Sequence, residues 1–186
     1  MRAVLDVDII YSRVLHNLMG RVARDLRLLD LFWSEQLLAE ARKTLIEKKG
    51  LTEDVARRWV DYLPQNFPAG ETNIDQVLAS TDFSSLSADP KDHHVCALAI
   101  AADADYLCTH DRGYLQEGLQ QHDIKVAGPD LFLCAALDNN ADGMLEILSL
   151  IASGWAGGRT IGELLDAIAR AGADTFAAKA QQAVRS

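Results

Sequence analysis

Along the chain, short unbroken apolar runs alternate with segments in which apolar residues recur every three or four positions. Residues 2–10, RAVLDVDII, are apolar after Arg2 except for Asp6 and Asp8. Such a run predicts a buried strand of the parallel kind, covered on both faces. With both residues in one strand, Asp6 and Asp8 would leave the same face. Val14, Leu18, Val22 and Leu26 then predict a helix over 11–30. Leu31-Phe32-Trp33 is a second short apolar run. Ser34 follows as an N-cap, with Glu35 in the first turn and Leu37, Leu38, Ala41 and Leu45 as the buried stripe of a helix ending near Gly50. Thr52 caps a further helix carrying Trp59, Val60 and Leu63, and Pro64, Pro68 and Gly70 mark a loop.

Residues 71–88 have the weakest pattern and predict a short helix over 73–80 and a strand near 82–86. Asp89 and Pro90 suit an N-cap and a first helical position, and the helix runs through Val95, Cys96, Leu98 and Ile100. A strand over 105–109, a helix over 112–121 and a strand over 124–126 follow. Strands alternating with helices predict an α/β fold with a central parallel sheet flanked by helices in three layers. After Pro129 the pattern is helical only, with breaks at Asn139-Asn140 and over 154–158 and a capping box at Thr160-Ile-Gly-Glu163. The expected division is a catalytic-type domain over 1–138 and a helical C-terminal extension over 139–186 packed on it. No internal repeat or low-complexity segment interrupts this order.

Composition narrows the function. The 186 residues are 49% apolar and 24% charged, which is globular and sufficient for one sizeable core. A net charge of −9 argues against a protein that coats nucleic acid and favours a basic partner surface. An enzyme gripping a few nucleotides through a metal and a local basic patch stays compatible with it. Cys96, Cys108 and Cys134 sit in apolar stretches with no paired metal spacing, which predicts reduced core thiols in a cytoplasmic protein. Arg2, Asp6 and Asp8 do not suit a signal peptide, and no apolar run approaches the roughly 20 residues of a membrane span.

The candidate chemistry lies in carboxylates at the edges of these elements. Asp6 and Asp8 end the first apolar run, Asp92 follows Asp89-Pro90-Lys91, and Asp111 closes Thr109-His110-Asp111. If the two strands are neighbours, these groups converge beyond their carboxyl ends. Carboxylates gathered there repel one another unless a cation lies between them, and all-oxygen sets suit Mg2+ or Mn2+. Plainer readings stand beside this one. Asp92 could complement a helix dipole, Asp111 could serve a turn, and Glu40 could be a solvated helical charge. Asp6 is harder to dismiss, because a charge within an apolar strand is costly unless paired. His93, His94 and His110 lack zinc spacing. Arg13, Arg21, Arg24 and Arg42 are candidate phosphate contacts, although solvated helix charges account for most such residues.

The order VLDVDII, WSEQLLAEARKTL, DPKDHHVCALAIAADADYLCTHD resembles the PIN domain family, and most closely its toxin-like branch called VapC. The resemblance spans roughly 3–130, and the helical tail is similar to an extension of one VapC-like subgroup. It implies a Mg2+- or Mn2+-dependent endoribonuclease with an RNA substrate and, as the toxin of a toxin–antitoxin pair, a basic antitoxin protein as partner. It also implies a homo-oligomer. Asp6, Glu40, Asp92 and Asp111 match the family's acidic positions, with Asp6, Asp92 and Asp111 as metal ligands and Glu40 positioning water. Val7 and Asp8 depart from the family pattern, which usually has Asn at the second of these positions. Asp8 becomes a candidate additional ligand. The alternatives are a haloacid-dehalogenase-like phosphohydrolase, which the Asp-Val-Asp run also resembles, and a non-catalytic PIN-fold binding module.

Overall fold

The computed structural model describes residues 1–155 and 158–185. Two compact units gather from it: Met1–Tyr11 with Leu29–Ala127, and Ser12–Leu28 with Gly128–Ser186. The first holds a four-stranded sheet formed by β1 (Arg2–Leu5), β2 (Asp30–Phe32), β3 (Tyr106–Cys108) and β4 (Lys125–Ala127). The strand order is β2-β1-β3-β4 and every pairing is parallel. Val4 lies opposite Phe32 on one side and Leu107 on the other. Ala3, Val4, Leu5, Leu31, Leu107 and Cys108 are all buried. Helices flank the sheet, and the architecture is the expected α/β fold with added C-terminal helices.

The first run is shorter as a strand than its pattern predicts. β1 ends at Leu5, and Val7–Tyr11 is a helix. The Asp6 carboxylate accepts from the Val7 N–H at 2.7 Å, and the Asp6 carbonyl accepts from Ile9 and Ile10 N–H groups at 3.1 Å. These bonds turn the chain at Asp6. Ile9 and Ile10 are buried from the helix instead of the strand, and a continuous apolar run cannot separate the two cases. Asp6 and Asp8 therefore do not share a strand face.

Other boundaries follow local hydrogen bonds. Ser34 caps Glu35–Lys49 by accepting from the Leu37 N–H, and Gly50 ends that helix at φ +64°. The expected strand near 82–86 is a turn of 3-10 helix, Phe83–Ser85, because the Asp82 side chain takes the Ser84 N–H. Pro64 lies within the short helix Tyr62–Asn66, where the first turn needs no N–H from it. The helix expected over 112–121 is confined to Gln116–Gln120.

The second unit contains the helices Arg13–Leu26, Pro129–Asn139, Ala141–Ser153, Ile161–Arg170 and Asp174–Arg185. Phe132 and Phe176 are among its fully buried side chains. Asp130 ties two of these helices together by accepting from the Thr175 and Phe176 N–H groups at 3.2 and 2.8 Å. The capping box at Thr160 and Glu163 forms as its sequence predicts. Of the break expected over 154–158, Ala156 and Gly157 lie outside the described residues.

Gly70 sits where β2 is met by the Pro68–Gly70 turn, and its carbonyl accepts from the Trp33 N–H at 3.0 Å. A side chain there would run into the Leu31 carbonyl oxygen. Gly70→Ala should therefore cost more than about 2 kcal/mol, as large values follow from overpacking a buried backbone contact. Urea unfolding reads this as a lowered midpoint, and an unchanged midpoint would contradict the packing.

Candidate active site

Because β1 and β3 are adjacent and parallel, their carboxyl ends share one sheet edge. Asp6 follows β1 and Thr109 follows β3, with the Asp6 N–H donating to the Cys108 carbonyl at 3.0 Å. Asp6, Asp8, Glu40, Asp92 and Asp111 all line one cleft of about 290 Å³ at this edge, together with Thr44 and Lys48. The structure thus brings all five candidate carboxylates to a single cleft.

Asp6 is only 7% exposed. Its second carboxylate oxygen accepts from the Thr109 hydroxyl at 2.8 Å and the Tyr114 hydroxyl at 3.0 Å. Burial nevertheless dominates, the charge of Asp8 adds to it, and Asp6 is pushed up to about 6 against the bonds from Thr109, Val7 and Tyr114. Tyr114 is itself pushed well above the usual phenol range by burial and by Asp6, so it stays a donor.

Thr109 is the hub of the edge. Its oxygen also accepts from the Asp111 N–H at 2.9 Å and lies 3.3 Å from Asp8. A hydroxyl carries one proton, and the shorter contact gives it to Asp6. Asp8 is held by the His110 N–H and ring nitrogen, both at 2.9 Å. Asp111 folds its carboxylate back onto the Gly113 N–H at 2.7 Å.

Asp92 closes the Pro90–Asp92 turn ahead of the His93–Ala101 helix. The Ser87 hydroxyl donates to it at 3.0 Å. Burial raises Asp92 above the ordinary carboxylate value despite that bond, and Asp111, Asp89 and Glu40 raise it further by like charge. His94 Nε2 stands 2.9 Å from Glu40 Oε2 as a close ion pair without hydrogen-bond alignment, while Nδ1 meets the Lys91 carbonyl at 2.7 Å. Both partners are acceptors, which favours the protonated ring. Burial opposes that charge, but Glu40, the Lys91 carbonyl and Asp6 outweigh it and hold His94 above its ordinary value.

Four groups at this edge escape a reading by motif. Thr109 was visible only as part of Thr109-His110-Asp111, and no periodicity marks Ser87 or Tyr114 as partners of distant carboxylates. His94 was visible, but its role came from Glu40 on another helix. Among the candidate arginines, Arg42 pairs with Glu53 at 3.3 Å, and Arg21 and Arg24 approach Asp25.

The model of the PIN domain matches residues 2–113. The chain belongs to the PIN domain family. PIN domains are typically nucleases and generally use divalent metals. Neither the curated proteins nor the solved structures compared with the chain gave a match. Family membership sets aside the haloacid-dehalogenase alternative.

Among the described residues, no three His, Cys, Asp or Glu side chains stand close enough to hold an ion as they lie. Their carboxylates are turned to protein donors, as for Asp6 and Asp111. The donor type still fits a hard cation: the cleft offers carboxylate oxygens, and burial, with like charge added to it, raises Asp6 and Asp92. Among the described residues no helix is long and apolar enough to cross a membrane.

The pH dependence of the metal-free protein follows from these shifts. Asp6 is raised in the fold, so folding favours its protonated form; the penalty is absent below the unfolded value of 3.8 and complete above about 6. His94 is also raised, so its contribution is present below 6.5 and is lost as pH rises through the higher folded value. Both make the metal-free protein less stable at rising pH. The Asp6 part amounts to about 3 kcal/mol at 1.36 kcal/mol per pH unit. Denaturant unfolding between about pH 4 and pH 7 should show the decline, and Asp6→Asn should flatten it. A slope that survives that substitution unchanged would contradict the assignment.

Proposed function

We propose that this protein is a divalent-metal-dependent endoribonuclease of the VapC-like branch, acting as the toxin of a toxin–antitoxin pair. The observation that carries this reading is the convergence of Asp6, Asp8, Glu40, Asp92 and Asp111 from separate segments on one cleft. Asp6, Asp92 and Asp111 would hold Mg2+ or Mn2+, with Asp8 as an additional ligand. An ion held there would supply the Lewis acidity that activates water and offsets charge on the phosphate.

The chain's own groups set the geometry. Thr109 and Tyr114 orient Asp6, and Ser87 orients Asp92. Glu40, steadied by His94, would orient the attacking water. A nucleophilic carboxylate suits the site less well, since both Asp6 oxygens already accept hydrogen bonds. Burial pushes the Cys96 thiol up to about 12, which leaves it a poor nucleophile. The acidic net charge favours a basic antitoxin segment.

The test is cleavage of single-stranded and structured RNAs with Mg2+ or Mn2+. Cleavage should vanish with chelator, and Asp92→Asn should slow it by at least about a hundredfold, the scale on which one charge-stabilising group acts. Equal rates in chelator, or an Asp92→Asn variant as active as the parent, would overturn the reading.

A further inference from the structure

Gln36, Glu40, Thr44 and Lys48 recur every fourth residue along the Glu35–Lys49 helix and so share one face. All four line a groove of about 780 Å³ with Lys43 and Lys91, and with the carboxylates of Glu47, Asp89 and Asp92. Glu40, Thr44 and Lys48 also line the carboxylate cleft, so the groove and the cleft share one wall. Lys48 stands eight residues beyond Glu40, about 12 Å along the helix axis at 1.5 Å per residue.

Lysines on a helix are usually solvated, and many are paired. Lys43 approaches Glu47 at 3.9 Å, and Lys179 pairs with Asp138 at 3.0 Å. Among the described residues, Lys48 and Lys91 have no carboxylate within ion-pair distance. They stand beside the cleft lined by Asp6, Asp8, Glu40, Asp92 and Asp111, in a chain with net charge −9. A polyanion approaching those carboxylates meets repulsion, and cations on the adjoining wall offset it locally.

We propose that Lys48, with Thr44 and Lys91, holds a backbone phosphate of a single RNA strand laid along this helix face, beside the phosphate to be cleaved. The proposal rests on the ribonuclease reading. Charge density selects the single strand: a duplex carries one charge per about 1.7 Å of axis against about 3.4 Å per strand, and the acidic surface repels it more.

The test is anisotropy of a short labelled single-stranded RNA with the full chain in chelator, so that nothing is cleaved. Lys48→Ala should weaken binding roughly tenfold and lower the slope of log affinity against log salt by about 0.7, the value of one single-strand phosphate contact. Lys48→Arg should restore both, and Lys125→Ala, which removes a lysine lying over Tyr106, should change neither. Equal affinity and slope for Lys48→Ala and the parent would overturn the proposal, as would no RNA binding by the parent or a matched duplex that binds as tightly. Unchanged melting temperature shows that exposed Lys48 is not needed for folding. Cleavage by the parent with Mg2+ is scored separately: RNA bound in a Lys48-dependent way but never cut would defeat the ribonuclease reading and leave the groove standing.

Discussion

A carboxylate buried at the end of a strand sets the terms for everything near it. Asp6 has left water, and its charge must be met by donors, by a cation or by a proton. Thr109 and Tyr114 supply the donors, and both reach Asp6 because β3 runs parallel to β1 and ends at the same edge. An antiparallel partner would have carried Thr109, His110 and Asp111 to the opposite end. Donors alone do not suffice, since Asp6 remains raised with Asp8 beside it. The edge is thus under electrostatic tension that His94 relieves on the Glu40 side and that a divalent cation would relieve on the Asp6 side.

Much of the fold was legible because local and tertiary demands agree. Ser34, Gly50 and the Thr160–Glu163 box end or begin helices through hydrogen bonds that their own side chains or backbone make. Short apolar runs marked the sheet positions of β1, β2 and β3, and Ile124-Lys-Val126 marked β4 despite its lysine. The same signal overran β1, because Ile9 and Ile10 are as buried in a helix as they would be in a strand. Phe83 misled for the same reason: it is buried from a 3-10 turn that Asp82 caps. Nothing in the linear pattern indicated that Ser12–Leu28 would gather with the C-terminal helices, since that depends on contacts across more than a hundred residues.

At the site, residue type and element edges were enough to gather Asp6, Asp8, Asp92 and Asp111 as candidates, and the family resemblance added Glu40. How they are held was not readable. Ser87 and Tyr114 are anchored by an isolated bridge to each other, and each serves a different carboxylate from there. Asp8 reaches the edge from a helix, which lets it take the His110 N–H instead of standing beside Asp6 on a strand. A departure from the family pattern has in this way acquired its own partner.

The central claim is that this cleft is built to bind a divalent cation through carboxylates that burial and repulsion have primed. Calorimetric titration with Mn2+ near pH 6, repeated in buffers of different ionisation enthalpy, measures this directly. Asp6 titrates near that pH, so binding should release about half a proton from it. The account predicts saturable binding with proton release that Asp92→Asn weakens strongly. No binding at millimolar Mn2+, or binding that releases no proton and ignores Asp92→Asn, would contradict it.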